Sequence, residues 1–268
     1  MSHDVARLRA HMPERVSSFL NTRTLATAQR RLAELLRPGM RVLDIGCGSG
    51  AITRGIAEAV APGGRVVGLD INAGLIGEAR KAHADVPGLS FEIAEVERFA
   101  HPATFDIVTA ARVLQWLADP LGALRKMAAL VKPGGRVLVL DYNHELIAWQ
   151  PAPPPRFQAF YAAFLCWRAD SGMDNAIADH LAELFAQAGL TEITVTPQHE
   201  TATHGDPDFA TRINLWPDVA GSRGHQVVAD GAISEADRAA AEAEGRAWAR
   251  DEAQTQTLYL LAVEGVRA

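Results

Sequence analysis

The chain has 268 residues, 48% of them hydrophobic and 22% charged, a composition that builds one large domain with a substantial core and excludes a disordered chain. Its 26 Lys and Arg against 32 Asp and Glu leave a net charge of −6, which argues against nucleic acid as a partner because that binding leans on clustered cations. No apolar run reaches the roughly 18–20 residues of a spanning helix, and charge occupies the first residues where a leader would be apolar, so no membrane partner and a cytoplasmic location are expected.

In chain order, residues 1–40 read as an N-terminal helical segment. Its best-defined part is 22–36, where Leu25, Ala28, Leu32 and Leu35 recur at helical spacing until Pro38 and Gly39 stop the run. A short apolar strand is predicted at 41–45 and a helix at 51–60. The pattern repeats with strand 65–69, helix 73–83, strands 89–93 and 105–109, helix 120–131 and strand 136–140, with Lys132-Pro-Gly-Gly135 as the last turn signal. Buried strands alternating with helices predict a doubly wound, Rossmann-like α/β fold with a mostly parallel sheet. This places a core at 41–141. After Asp141 the alternation breaks: residues 142–176 hold the cluster Pro151-Ala-Pro-Pro-Pro155 and seven of the chain's seventeen Phe, Trp and Tyr residues, which marks a helical cap insertion with its own apolar surface. Helix 177–189 and strand 192–196 resume the core, 197–250 reads as a second irregular and helical cap, and 255–263 supplies a last strand. Within the second cap, 235–252 alternates acids, Ala and Arg as an exposed helix with i,i+4 pairs does. All of this is expected to fold as one domain.

The stretch Val42-Leu-Asp-Ile-Gly-Cys-Gly-Ser-Gly50 carries the chemistry. Glycines between a buried strand and a helix let the backbone turn tightly and bring N–H groups to a ligand at the helix N-terminus. Asp70, at the end of the next strand, lies where a carboxylate accepts both hydroxyls of a ribose. The loop also satisfies the loose dinucleotide fingerprint, which keeps a nicotinamide-dependent oxidoreductase as an alternative. Asp44, inside the strand, would repel a pyrophosphate yet can face an ammonium group.

Together with Gly68-Leu-Asp-Ile-Asn72, Ala94-Glu-Val96, residues 105–117 and Leu130-Val-Lys-Pro-Gly-Gly-Arg-Val-Leu138, this loop resembles the motifs of the class I S-adenosylmethionine-dependent methyltransferases, over residues 25–141. The resemblance is to the small-molecule group that includes the quinone-biosynthesis C-methyltransferases. It implies a seven-stranded sheet whose last strand is antiparallel, and S-adenosylmethionine as cofactor. By the same resemblance, Asp44 and the backbone of Gly46, Cys47 and Gly48 hold the methionine end, Asp70 the ribose, Ile71 an adenine face, and Ala94, Glu95 and Val96 the adenine edge. Ala110 would offer a carbonyl toward the methionine, with Val113 packing nearby. The chain departs from the family at Glu95, where Asp is usual, and at Ala110 and Gln115, where Ser and His are frequent.

The expected activity is transfer of a methyl group to an O, N or C atom of a small, partly apolar or aromatic metabolite. The Asn/Asp-Pro-Pro-aromatic arrangement that methylates base amines is missing after the fourth strand, which places methylation of protein or RNA second. His144 follows the fifth strand, at the sheet end where α/β ligands bind, and is the candidate proton acceptor. Tyr142, Trp149, Tyr161 and Trp167 are the candidate acceptor-pocket residues. With Cys47 and Cys166 far apart and only His199 and His204 at a metal-compatible spacing, no metal is expected. The oligomeric state is not legible.

Overall fold

The structure, a computed structural model, describes residues 2–10, 23–102 and 104–268. Residues 1 and 11–22 of the expected N-terminal segment, with the expected first-helix start at position 22, lie outside the described residues. Helix α1 spans Ser2–Ala10. The helix predicted at 22–36 is two short ones, α2 (Leu25–Ala28) and α3 (Arg30–Leu35). They break at Gln29, which takes φ −150 and donates its side-chain amide to Thr109 Oγ1 at 2.7 Å in the core. Burial of that amide requires a partner, and the bond it finds outweighs one more helical turn.

The expected alternation follows: β1 (Arg41–Ile45), α4 (Ala51–Val60), β2 (Arg65–Asp70), α5 (Ala73–Ala82), β3 (Leu89–Ile93), β4 (Phe105–Ala111), α6 (Pro120–Leu130) and β5 (Val131–Gln150). The first cap contributes α7 (Pro155–Ala169), and the core resumes with α8 (Ile177–Gln187) and β6 (Leu190–Pro197). Then come β7 (Glu200–Thr203), the short helices α9 (Phe209–Ile213), α10 (Leu215–Gly221) and α11 (Gly224–Ala229), the long α12 (Glu235–Asp251), and β8 (Thr255–Arg267).

One sheet holds all eight strands in the order β3-β2-β1-β4-β5-β8-β6, with β7 also paired to β8. β1 to β5 run parallel, and β8 runs antiparallel to its neighbours β5, β6 and β7. The eighth strand, β7, lies where sequence reading placed only irregular chain; it continues the edge begun by β6, pairing Thr201 with Thr257 where β6 ends with Pro197 opposite Leu261. The Lys132–Gly135 turn signal is an irregularity in β4–β5 pairing, with Gly134 at φ 73. Past the core, β5 and β8 stay paired to Gln150 and Thr255, so the sheet itself carries the chain into the first cap.

Both faces of the sheet are covered, which explains the unbroken apolar runs of its strands. Leu43, Val108 and Val137 point to the side of α6 and α8, while their neighbours Val42, Ile107 and Leu138 pack against Leu32 and Ile56 on the other. A separate aromatic cluster forms above the carboxyl end of β5, where α7 meets Trp216, Val227 and Ala241. Helix α12 makes the expected pairs Arg238–Glu242 (2.8 Å) and Arg246–Glu242 (3.0 Å). It is not simply exposed, however: Arg238, Ala241 and Trp248 are buried, and a Cβ at Gly245 would lie 2.5 Å from Phe157 of α7.

Chain order reverses at β1, which sits between β2 and β4. In open α/β sheets a crevice opens outside the carboxyl ends of the strands at such a point.

Candidate functional site

That crevice is a cavity of about 580 Å³ which starts at the glycine loop after β1 and ends under the aromatic cluster of the caps. The loop is held by its own backbone and by Asp70. Gly46 and Cys47 donate to Leu69 O at 2.7 and 3.0 Å, and Asp70 accepts from Gly48 N and Asn72 N, both at 2.9 Å. Gly46 has φ 69, and a Cβ there would lie 2.3 Å from Val113 Cγ2, so both backbone and space require glycine. Gly50 opens α4 at φ 78 with Phe91 Cζ 2.6 Å from a hypothetical Cβ.

Asp44 is buried beneath this loop and accepts from Thr53 Oγ1 at 2.7 Å. Burial pushes its carboxyl up to about 7 against the lowering effect of the Thr53 bond, and the nearby Asp70 charge adds to the rise. The Cys47 thiol is likewise pushed well above its ordinary value by burial. Ile71, next to Asp70, is 43% exposed within the cavity wall, an apolar surface suited to a planar group. Glu95 pairs with Arg7 of α1 at 2.8 Å and with Arg98 at 3.2 Å. Of the residues expected at the cofactor, Asp44, Gly46, Cys47, Gly48, Asp70, Ile71, Ala94, Glu95, Val96 and Val113 line the cavity; Ala110 is buried in the sheet and does not, and its neighbour Ala111 does.

The far half of the cavity is built differently. Arg112 directly follows β4 at φ 63, a left-handed conformation that costs energy for a side chain of this size. It is held there by Nε donating to Tyr142 Oη at 2.9 Å, Nη1 to Ala28 O at 3.3 Å, and an ion pair with Glu200. Arg23 also reaches Tyr142 Oη, at 3.4 Å. Gln115, in the 3-10 turn Leu114–Trp116, donates Nε2 to Arg112 O at 3.2 Å, which orients its Oε1 toward His144 Nε2 at 2.5 Å. That bond assigns the proton to Nε2 and leaves the Nδ1 lone pair without a protein partner. His144 is 2% exposed, and burial, with Arg168 nearby, holds its imidazole well below the ordinary histidine range.

Tyr142 and His144 line the cavity, and the structure sets the other three expected acceptor residues behind it. Trp149 Nε1 donates to Gln256 at 2.8 Å, Tyr161 Oη to His144 O at 2.8 Å, and Trp167 Nε1 to Asp230 at 2.7 Å. Each has its polar atom satisfied and its ring packed, as a core residue does. The aromatic wall comes from Trp116, Phe164 and Trp216, with Leu215 and Val219. Phe164 follows Tyr161 on α7, so helical spacing found the element and missed the exposed face. Trp216 and Arg223 lie in the second cap, where no motif marks them. His199 and His204 are engaged otherwise: His199 Nδ1 accepts from Leu260 N at 3.1 Å, and His204 packs on Phe209. Among the described residues no three His, Cys, Asp or Glu gather as a metal site. No helix among them is long and apolar enough to cross a membrane.

Comparison with known proteins adds a family. The family described as "Methyltransferase domain" matches residues 36–189. The chain is 36% identical over 118 residues to a ubiquinone biosynthesis O-methyltransferase of Pectobacterium carotovorum, covering 42% of this chain and 48% of that protein. It is 42% identical over 112 residues to a ubiquinone/menaquinone biosynthesis C-methyltransferase of Ectopseudomonas mendocina, covering 40% and 44%. It thus spans about half the length of these relatives. In fold it is similar to the YcgJ protein of Bacillus subtilis, with TM-score 0.58 at 18% identity over 89% of this chain and 97% of that one.

Proposed function

The chain belongs to the methyltransferase-domain family, and from that membership and the cavity we propose that it transfers a methyl group from S-adenosylmethionine to a small, partly apolar or aromatic metabolite, in the cytoplasm. The observation that carries this reading is the continuity of one cavity between the glycine loop and the buried aromatic wall containing His144. A donor and an acceptor held side by side in one cavity react as though intramolecular.

The near half fits an adenosyl sulfonium. Asp44 and Asp70 offer carboxylates to an ammonium and a ribose diol, the exposed Ile71 side chain offers an adenine face, and Ala94, Glu95 and Val96 frame its edge. Family membership favours this ligand over a nicotinamide dinucleotide. When bound, S-adenosylmethionine supplies an electrophilic methyl carbon whose bonding pair stays on sulfur when the bond breaks. The protein's own contribution is orientation, dryness and one base. His144, a cavity-lining residue whose Nδ1 has no protein partner, is the candidate to take the proton of a hydroxyl acceptor while the acceptor oxygen forms its bond to carbon. An O, N or C acceptor is compatible with the wall; the free lone pair favours a hydroxyl. A concave cavity of this size and largely apolar lining supports a small-molecule acceptor.

Isothermal titration with S-adenosylhomocysteine and with NAD tests the reading. Binding of the first and not the second is expected, and the reverse would overturn it. His144→Phe should leave S-adenosylhomocysteine affinity unchanged and lower turnover of a hydroxyl acceptor by about 10²–10⁴.

A further inference from the structure

Helix α1 is a thin wall between the cavity and solvent, and the angular spacing of its residues shows how it sits. Successive positions on a helix turn by about 100°, so Ala6 and Ala10, four apart, share one face. Both line the cavity, and Ala6 is 2% exposed. Leu8 points the opposite way and is 73% exposed. Arg7 and Arg9 leave the two flanks between these faces. On one flank Arg7 pairs with Glu95 at the expected adenine edge, at 2.8 Å. On the other, Arg9 enters a socket in the caps: its Nε pairs with Asp230 at 2.9 Å, its Nη1 donates to Trp167 O, and its guanidinium stands 4.6 Å from the Trp167 ring centroid. Its own carbonyl accepts from Arg223 Nη1. Trp167 Nε1 donates to the same Asp230 carboxylate at 2.7 Å, so the socket is built from both caps.

This wall is weakly anchored. Among the described side chains of α1, Ala6 alone is fully buried, and an isolated helix of nine residues does not persist in water. The polar contacts on its two flanks therefore hold it. Arg7, with 58% of its side chain exposed, adds little, because water screens an exposed ion pair. Arg9, at 15%, is the sheltered contact. An element with so few buried apolar contacts opens at a free energy far below that of global unfolding. A ligand lying under Ala6 and Ala10 touches α1 only while the helix is docked, so ligand and docked helix stabilise each other by the same factor.

We propose that α1 is a lid over the methyl-donor half of the cavity, latched by Arg9 in the Trp167–Asp230 socket, which opens for the donor to enter and the spent donor to leave and closes on the bound cofactor. The lid rests on the methyltransferase reading. Arg9 does not line the cavity; it is a positioning residue that acts by holding Ala6 and Ala10 over the ligand. Because its socket joins both caps, closure over the donor also ties together the elements that wall the acceptor half.

The test is hydrogen exchange by mass spectrometry on the full chain, with and without saturating S-adenosylhomocysteine, together with the dissociation rate of that ligand by stopped-flow displacement. Bound S-adenosylhomocysteine should slow exchange over residues 2–10 at least about fivefold. Arg9→Ala should abolish most of that slowing and speed ligand dissociation about three- to tenfold, while exchange over α12 and the melting temperature of the ligand-free chain stay those of the wild type, since Trp167 keeps its bond to Asp230. Arg250→Ala, which removes an exposed pair with Asp251, should change none of these. Equal exchange over residues 2–10 with and without bound ligand, wild-type values of either quantity in Arg9→Ala, or a lower melting temperature of that ligand-free variant, which would make Arg9 a tether of the core, would each overturn the lid. Failure of S-adenosylhomocysteine to bind the wild-type chain would instead overturn the methyltransferase reading, and the lid with it.

Discussion

Asp70→Ala separates two jobs that one carboxylate holds. In the protein alone, Asp70 accepts two backbone N–H bonds at 2.9 Å, from Gly48 and Asn72, and so ties the glycine loop after β1 to the end of β2. Hydrogen bonds to a charged group contribute about 1.5–3 kcal/mol each when desolvated. Asp70 is only half-buried, and solvent screening reduces the pair to about 2–3 kcal/mol in total. For a chain of this size that corresponds to a melting temperature lowered by about 5–10 °C. If the same carboxylate also accepts the ribose hydroxyls, S-adenosylhomocysteine should bind about 1–3 kcal/mol more weakly, or about 5- to 150-fold. Thermal melts and isothermal titration on one preparation read both effects, and Asp70→Asn, which keeps one accepting oxygen, should recover part of each. Lower stability with unchanged affinity would refute the ribose assignment and leave Asp70 as a loop tether alone.

Three further outcomes are expected. Gly46→Val should abolish S-adenosylhomocysteine binding in a chain whose circular dichroism stays native, because φ 69 and the 2.3 Å approach to Val113 Cγ2 deform the loop; undiminished affinity would place the ligand elsewhere. Tyr161→Ala and Trp167→Ala should each cost about 3–5 kcal/mol in urea unfolding with acceptor KM and kcat intact, since neither lines the cavity, whereas Phe164→Ala should alter both stability and KM. The Asp44 carboxyl, raised by burial to about 7 in the folded state against about 3.9 when unfolded, favours the fold in its protonated form. Its contribution is complete below the unfolded value and is lost as pH rises through about 7, so Asp44→Asn should flatten that part of the stability curve. Affinity for a cationic methyl donor should move oppositely, rising over the same interval as the carboxylate forms, and titrations at pH 6 and 8 would expose the opposite trend if this is wrong.

Much of the near half of the site was legible before any coordinates. Strands β1 and β2 announce themselves as apolar runs because both faces are covered, and the glycines between β1 and α4 are required locally by left-handed backbone and close packing. Ten of the eleven residues expected at the cofactor line one cavity, since a parallel sheet brings the carboxyl ends of neighbouring strands to one edge. Ala110 is buried in the sheet and its neighbour Ala111 lines the cavity, because strand alternation turns successive side chains to opposite faces.

The acceptor half depended on tertiary structure. Periodicity shows that a helix has an apolar face and cannot show what that face meets, so Tyr161 and Trp167 were expected at the acceptor, whereas of the α7 aromatics it is Phe164 that lines the cavity, packed with Trp216. The tautomer of His144 depends on Gln115, 29 residues away, which is itself oriented by the backbone of Arg112, and its lowered basicity on burial and the distant Arg168. The helix break at Gln29 likewise rests on Thr109, 80 residues distant. Backbone conformation and alternation follow from neighbours in the chain and are written in sequence. Which side chain is left without a partner is decided by contacts between distant segments, and these exist only once the sheet and its caps have closed.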